Sequence, residues 1–270
     1  VLKEVISDLT RPIAMNRLVQ GDVGSGKTVV AALAMLHAAL CGYQAVMMAP
    51  TAILARQHFQ TLSNLLGSGQ VRICLLTGAT PAGEKRRIIR ELADGHISIL
   101  VGTHALIEDK IQFQALALAV TDEQHRFGVH QRAKLIRKSK QSEVLVMSAT
   151  PIPRTMALTI YSDLDVSVID ELPKGRKEIK TVLLSEAQRK SAYEKVVEEV
   201  QGGRQAYVVT PLIEFDEESE LNSVLGLYDT LSKGVLKGIP MAYLHGKMTS
   251  KEKDEIMEAF KKGDLKVLVS

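Results

Sequence analysis

Residues Gly21-Asp22-Val23-Gly24-Ser25-Gly26-Lys27-Thr28 spell G-x-x-x-x-G-K-T. Glycines at these places let backbone N–H groups curl around a polyphosphate. The lysine reaches the β- and γ-phosphates, and the threonine hydroxyl ligates magnesium. The surroundings suit that chemistry. Leu18-Val19 reads as the end of a buried strand, and Thr28 to Leu40 as an Ala-rich helix with Gly42 just beyond it. Strand, loop and helix is the order required, because a helix N-terminus adds its own attraction for phosphate.

A second group of reactive residues is Asp122-Glu123-Gln124-His125, directly after the apolar run Leu116–Thr121. A strand carries such an acidic pair to the carboxyl edge of a sheet, beside the phosphate loop. Asp122 is expected to hold magnesium, through water, and Glu123 to orient and deprotonate an attacking water. Two adjacent carboxylates at the end of a buried strand are a poor structural choice unless a cation balances them. A third group, Ser148-Ala149-Thr150-Pro151-Ile152-Pro153-Arg154-Thr155, follows the apolar run Glu143–Met147. Its hydroxyls could bond neighbouring carboxylates or His125, though a plain turn with helix-starting prolines accounts for it equally well.

The elements that position these residues alternate along the chain. Strands are predicted at Arg17–Gln20, Ala45–Ala49, Arg72–Leu76, Ile97–Val101, Leu116–Thr121 and Glu143–Met147, with helices such as Thr51–Leu66 and Pro81–Ala93 between them. The last has Thr80 as expected cap, Pro81 in the first turn and Gly95 beyond the end. Strands this uniformly apolar imply a parallel sheet buried by helices on both faces. Near residue 170 the texture turns polar, and Asp170–Lys177 reads as a linker. Alternation then resumes: strand Ile179–Leu184, helix Glu186–Gln201, strand Ala206–Thr210, helix Leu221–Ser232 and strand Met241–Leu244. Glu214 to Glu220 is expected to be a surface loop. A capping box at Thr249-Ser250-Lys251-Glu252 opens a helix ending before Gly263. The expected organisation is a first α/β lobe over 1–170, a linker over 171–178 and a second lobe over 179–270.

Bulk composition constrains the class. The 270 residues are 46% hydrophobic and 24% charged, which is ordinary for one large or two medium domains. No run of about 18 apolar residues is present to span a membrane, and no secretory signal opens the chain. Cys41 and Cys74 read as small core residues in a reducing cytosol, so a cytoplasmic location is expected. The net charge of +3 does not argue for nucleic acid. The basic clusters Lys85-Arg86-Arg87, Arg132 to Lys140 and Lys174 to Lys180 read more readily as solvated faces. Only 4% of residues are aromatic, too few for a protein that relies on base stacking. Both ends read as cut. Val1 is no initiator methionine, and Leu265–Ser270 reads as a buried strand, so a piece of a longer polypeptide is expected.

Together, Gly21–Thr28, Asp122–His125 and Ser148–Thr150 resemble motifs I, II and III of superfamily 2 helicases and translocases. The longer strings GDVGSGKT, DEQHRFGVHQR, SATPIPRT and DLDVSVIDELPKGR resemble the RecG family of ATP-dependent DNA helicases, which remodel stalled forks and branched DNA. The resemblance covers essentially the whole chain. It implies two RecA-like lobes with parallel sheets flanked by helices, the second incomplete, and ATP with magnesium as cofactors. It places Gly21, Asp22, Val23, Gly24, Ser25, Gly26, Lys27, Thr28 and His125 at the nucleotide. It also implies that Gln124, His125, Ser148 and Thr150 couple the nucleotide to DNA. Ala49-Pro50-Thr51 resembles motif Ia, which grips the DNA backbone. Thr77-Gly78 and Gly102-Thr103-His104 resemble the neighbouring DNA-contact motifs, and Thr210-Pro211 and Leu244-His245-Gly246 the start of the second lobe. Contacts of this kind position a protein on branched or duplex DNA without reading sequence. A monomer is expected. Ala52 departs from the glutamate expected in motif Ia. The resemblance further implies a wedge domain ahead of this chain, and motifs V and VI, with an arginine finger, beyond it. Three alternatives stay open at this point: a translocase of the transcription-repair coupling type, a P-loop phosphotransferase and a non-catalytic nucleotide-binding module.

Overall fold

The computed structural model describes residues 1–67, 71–123, 138, 143–150, 164–171, 179–210 and 217–270, the side chains of 217–222 and 250 excepted. Gln124, His125, Pro211, the 151–155 string and most of the expected linker lie outside the described residues. The described chain divides into two compact units, Val1–Lys177 and Glu178–Ser270.

In the first unit the apolar runs form one sheet of seven strands: β1 Asn16–Gly21, β2 Gln44–Met48, β3 Ile73–Leu76, β4 Ile99–Gly102, β5 Leu116–Asp122, β6 Glu143–Ser148 and β7 Asp165–Ile169. Their order is β3-β4-β2-β5-β6-β1-β7, and every pairing is parallel. Helices α1 Leu2–Asp8, α2 Lys27–Leu40, α3 Ala52–Leu66 and α4 Ala82–Ala93 accompany it. Side chains alternate across the pleat. On one face Met47, Val120 and Leu145 pack with Ala31 and Met35 of α2 and Ala55 and Leu62 of α3. On the other, Val46, Met48, Leu100 and Ala119 pack with Ile88 and Leu92 of α4. Burying a side chain such as Leu62 or Leu92, each 0% exposed, contributes about 1.5–3 kcal/mol. A parallel sheet covered on both faces is the α/β architecture expected from the sequence.

Two elements of this unit escaped sequence reading. α1 is a seven-residue helix, and β7 is an edge strand whose burial alternates weakly. Both are held by Arg17, buried at the start of β1. Its Nε donates to Asp8 Oδ2 of α1 at 2.6 Å, and one terminal nitrogen donates to Ser167 Oγ of β7 at 2.7 Å. Other local expectations need correction. Thr80 does not cap α4. Pro81 holds the N-cap position, and the Thr80 hydroxyl instead accepts from the Thr77 N–H at 3.0 Å. Thr51 is the cap of α3 rather than its first residue, accepting from Leu54 N–H at 3.3 Å. Cys41 is exposed and so not a core residue, whereas Cys74 is half-buried and packs against the core on the α4 face.

The second unit has β8 Ala206–Val208, β9 Met241–Tyr243 and β10 Val267–Val269 in the parallel order β8-β10-β9. Helices α5 Arg189–Gln201, α6 Glu217–Lys233 and α7 Ser250–Lys262 join them. β10 reads as core because it is central, with a neighbour on each side. The expected capping box of α7 is present, with Thr249 and Glu252 exchanging bonds and Gly263 at φ 85° closing the helix. The predicted strand Ile179–Leu184 is not formed. The segment is irregular, with Leu183 97% exposed. Apolar composition suggested a strand, but among the described residues no ladder receives it. Of the expected loop Glu214–Glu220, residues 217–220 belong to α6, and 214–216 lie outside the described residues.

Candidate functional site

β1 delivers the chain to the phosphate loop, and α2 carries it away. Ser25 N–H bonds to the Asp22 carbonyl at 3.1 Å, and Val23 N–H to Asp22 Oδ1 at 2.7 Å, which tightens the turn. Gly24 and Gly26 take φ 81° and 97°, the left-handed region that side chains disfavour. Gly26 is also the N-cap of α2, so the loop's N–H groups and the helix terminus face the same space. The Ser25 hydroxyl is buried without a protein partner. Gly21 is glycine for a packing reason: a Cβ there would lie 2.6 Å from Ser25 Oγ and 3.0 Å from Ile169 Cβ of β7.

Lys27 folds over the loop, donating to the carbonyls of Gly21 and Asp22 at 2.7 and 2.8 Å. Burial lowers its pKa, while the negative charges of Asp122 and Glu123 pull it back up. The lysine and the two carboxylates of β5 therefore share one field, although about a hundred residues separate them in sequence. Thr28 is the second residue of α2 and half-buried.

Asp122, the last residue of β5, is 8% exposed. Its Oδ2 lies 2.7 Å from His58 Nε2 of α3, which is equally buried. A hydrogen bond to a charged acceptor contributes about 1.5–3 kcal/mol. Sequence reading missed His58. It sits within an ordinary amphipathic helix, and only the packing of α3 brings it to the strand end. Glu123 adopts φ 52°, the one described non-glycine residue with positive φ. Backbone strain of this kind gathers at functional sites. The residue is held by its N–H to the Met147 carbonyl at 3.0 Å and by its Oε1, which accepts from Ala149 N–H at 3.2 Å. The acidic pair is thus tied to the end of β6. There Ser148 Oγ and Thr150 Oγ1 are 2.9 Å apart, and Gln20 Nε2 donates to the Thr150 carbonyl at 3.3 Å. The loop, the acidic pair and the Ser148–Thr150 turn form one cluster. Among the described residues no group of three or more His, Cys, Asp or Glu could hold a metal alone.

The residues expected at DNA lie at the carboxyl ends of β2, β3 and β4. Thr51, Gly78 and His104 are exposed, Pro50 is half-buried, and Thr77 and Thr103 are buried at 4%. Gly102 is required by packing, since a Cβ would lie 2.1 Å from the Leu76 carbonyl oxygen. His104 opens a single 3-10 turn, His104–Ile107. Beside Thr77 and Thr80 is a cavity of about 430 Å³, with Arg56 of α3 and Arg87 of α4 in its wall. In the second unit, Thr210 Oγ1 is 2.8 Å from Ser223 Oγ of α6.

A seven-stranded parallel sheet, with helices on both faces and a phosphate loop after β1, is the RecA-like helicase fold. The chain belongs to the DEAD/DEAH box helicase family, which matches residues 3–159, and the helicase conserved C-terminal domain matches residues 188–270. Among curated proteins it is 49% identical over 269 residues to the ATP-dependent DNA helicase RecG of Aquifex aeolicus, covering 98% of this chain and 34% of that protein. It is 46% identical to RecG of Bacillus subtilis, covering 100% of this chain and 40% of the relative. A solved structure of RecG bound to a three-way DNA junction superposes with TM-score 0.78 at 43% identity, over 99% of this chain and 35% of that one. S. cerevisiae Dbp5 bound to RNA and ADP BeF3 shares the fold, with TM-score 0.67 at 20% identity, over 100% of this chain and 68% of that one. The chain thus spans roughly a third to two-fifths of the length of the RecG proteins it matches. Among the described residues no helix is long and apolar enough to cross a membrane.

Proposed function

We propose that this chain is the motor portion of a cytoplasmic, ATP-dependent DNA helicase or translocase that acts on branched or forked DNA. The convergence of Lys27, Asp122 and Glu123 beside a glycine-shaped loop carries the reading. The loop suits a nucleoside triphosphate. Its two left-handed glycines open the backbone, and the buried Ser25 hydroxyl lacks a partner that a phosphate oxygen could supply. Thr28 and Asp122 are the residues that would hold magnesium, Asp122 through water. When bound, that ion would neutralise phosphate charge.

In this reading Lys27 exchanges the Gly21 and Asp22 carbonyls for the β- and γ-phosphates, while Gly24, Ser25 and Gly26 direct N–H groups at the phosphates. Val23 lies on the rim, and His125 follows the acidic pair. Glu123 accepts the proton of the attacking water. Gln124, His125, Ser148 and Thr150 pass the state of the nucleotide to the DNA face. Pro50, Thr51, Gly78 and His104 meet the DNA backbone at the surface, with Thr77, Gly102 and Thr103 supporting them from below. Thr210 and Pro211 contribute from the second unit. Such contacts fix orientation without reading bases, as the few aromatics suggest. The domain limits are those expected from the sequence, 1–170 and 179–270 around a linker, and the working state is a monomer.

The test is ATP hydrolysis by the protein at its full natural length, with forked DNA, with linear duplex and without DNA. Stimulation greatest with the fork is expected. Hydrolysis indifferent to every DNA would overturn the reading in favour of a small-molecule phosphotransferase. In parallel, Lys27→Ala should lower affinity for a fluorescent ATP analogue at least tenfold, because it removes the ammonium that would meet the β- and γ-phosphates.

A further inference from the structure

We propose that His58 is a positioning residue for Asp122, and that α3 thereby links the DNA contact at Thr51 to the nucleotide site. The inference rests on the functional reading above. Its first support is geometric. His58 Nε2 and Asp122 Oδ2 are 2.7 Å apart, and both residues are 8% exposed, so neither side chain can trade this bond for water. Leu118 and Val120 of β5 pack on the sheet face that carries α2 and α3, and the alternation of the strand turns Asp122 to that same face. The imidazole takes one carboxylate oxygen and fixes the plane of the group, which directs the other. Groups that orient a metal-binding side chain typically carry 10–100-fold in metal affinity.

The second support is the helix itself. Thr51 caps α3 at an exposed end, and His58 follows seven residues later. Seven residues make almost two turns, roughly 10 Å along the axis and nearly the same side of the helix. Ala55, Leu62 and Leu66 fasten α3 into the core, so it moves as a body rather than bending between the two residues. A phosphate drawn to Thr51 therefore shifts His58 against Asp122. Arg56, five residues after the cap, lines the cavity beside Thr77 and Thr80, so the same helix also reaches that surface.

The test begins with a fluorescent ATP analogue titrated against the protein over a range of magnesium concentrations. His58→Leu should need about tenfold more magnesium to reach the parent's affinity, and His58→Gln, which keeps an N–H donor, should recover much of the loss. In EDTA the difference between variant and parent should vanish. An unchanged magnesium requirement in a folded His58→Leu, checked by circular dichroism, overturns the proposal. If Lys27→Ala also leaves binding unchanged, the nucleotide-site reading has failed instead.

A second measurement follows the imidazole directly. The imidazole Nε2–H of His58, followed by nitrogen-15 NMR and assigned by its loss in His58→Gln, should exchange slowly. It should shift when magnesium and a non-hydrolysable ATP analogue bind, and shift again when a forked oligonucleotide is added. Thr51→Val should lose the response to the oligonucleotide. A resonance that responds to nucleotide and ignores DNA would overturn the α3 link, and one that ignores both would overturn the positioning role.

Discussion

The Lys27 ammonium sits between opposing influences. Burial lowers its pKa, two carboxylates raise it, and two loop carbonyls hold it in place. That arrangement holds a cation ready for phosphate at small reorganisation cost. Glu123 complements it, carried on a backbone with φ 52° that turns it away from the strand. Glu123→Gln keeps size and hydrogen-bonding capacity but cannot take a proton. It should bind the ATP analogue like the parent and hydrolyse ATP about a hundredfold more slowly or worse. Parent-like hydrolysis in the presence of forked DNA would assign the base elsewhere. Glu143 supplies a separate test at the other end of the sheet. Burial pushes its carboxyl above the usual range, and Asp8 adds to the rise against the hydrogen bond from Met15 N–H. Because the folded pKa is raised, its favourable share is complete below the unfolded pKa and is lost as pH rises through the folded value. Glu143→Gln should therefore gain stability over the parent at pH 8 and less at pH 5, by urea denaturation. A difference constant across that range would refute the assignment. The phosphate loop and acidic pair were legible because their chemistry is local in sequence. His58 was not, since its partner is 64 residues away and only the packing of α3 reveals it.

At the scale of elements, alternation of apolar runs with helical stretches was enough to place six of the seven strands of the first sheet. The exceptions have physical causes. β7 is an edge strand whose side chains are only partly buried, so it lacks a continuous apolar signature. α1 is short and held by the buried Arg17 rather than by a long amphipathic face. Residues 179–184 erred the other way, because apolar composition does not make a strand without a neighbour to pair with. Gln44 illustrates long-range chemistry that no local pattern carries. Buried at the start of β2, its amide donates to the carbonyls of Leu92 and Ile97 at 2.9 and 2.8 Å. Its oxygen accepts from Ala115 N–H at 3.0 Å. One side chain thereby satisfies backbone at the end of α4 and ahead of β4 and β5. Gln44→Leu matches the volume but removes all three bonds; the Leu92 carbonyl keeps its bond from Gly95 N–H, while the Ile97 carbonyl and the Ala115 N–H lose these partners, at about 1–3 kcal/mol each before relaxation. A loss of about 3 kcal/mol in urea denaturation is expected. A loss under 1 kcal/mol would show that these groups find other partners at little cost.

The whole molecule divides into units with unequal cores. In Val1–Lys177, buried clusters on both faces of a seven-stranded sheet draw on β1 to β6 and four helices. In Glu178–Ser270, the fully buried centre among the described residues is Val224, Leu231, Leu236, Val267 and Val269 on a three-stranded sheet. Hydrophobic stabilisation follows buried area, so the second unit should unfold at lower urea. The tyrosines make this measurable. Four of the six, Tyr193, Tyr207, Tyr228 and Tyr243, lie in the second unit, and the chain has no tryptophan. Tyrosine fluorescence therefore reports mainly on that unit, while far-ultraviolet circular dichroism reports on both. The fluorescence midpoint should precede the main dichroism transition, a departure from two-state behaviour. Magnesium and the ATP analogue should then move the later transition alone. A ligand that binds only the folded first unit raises its stability by RT ln(1 + [L]/Kd), about 2.7 kcal/mol at a hundredfold excess over Kd. Lys27→Ala should abolish that shift and leave the fluorescence transition in place. Coincident transitions that move together with nucleotide would mean that the units fold as one body, and that nucleotide bound at the phosphate loop stabilises the second unit as much as the first.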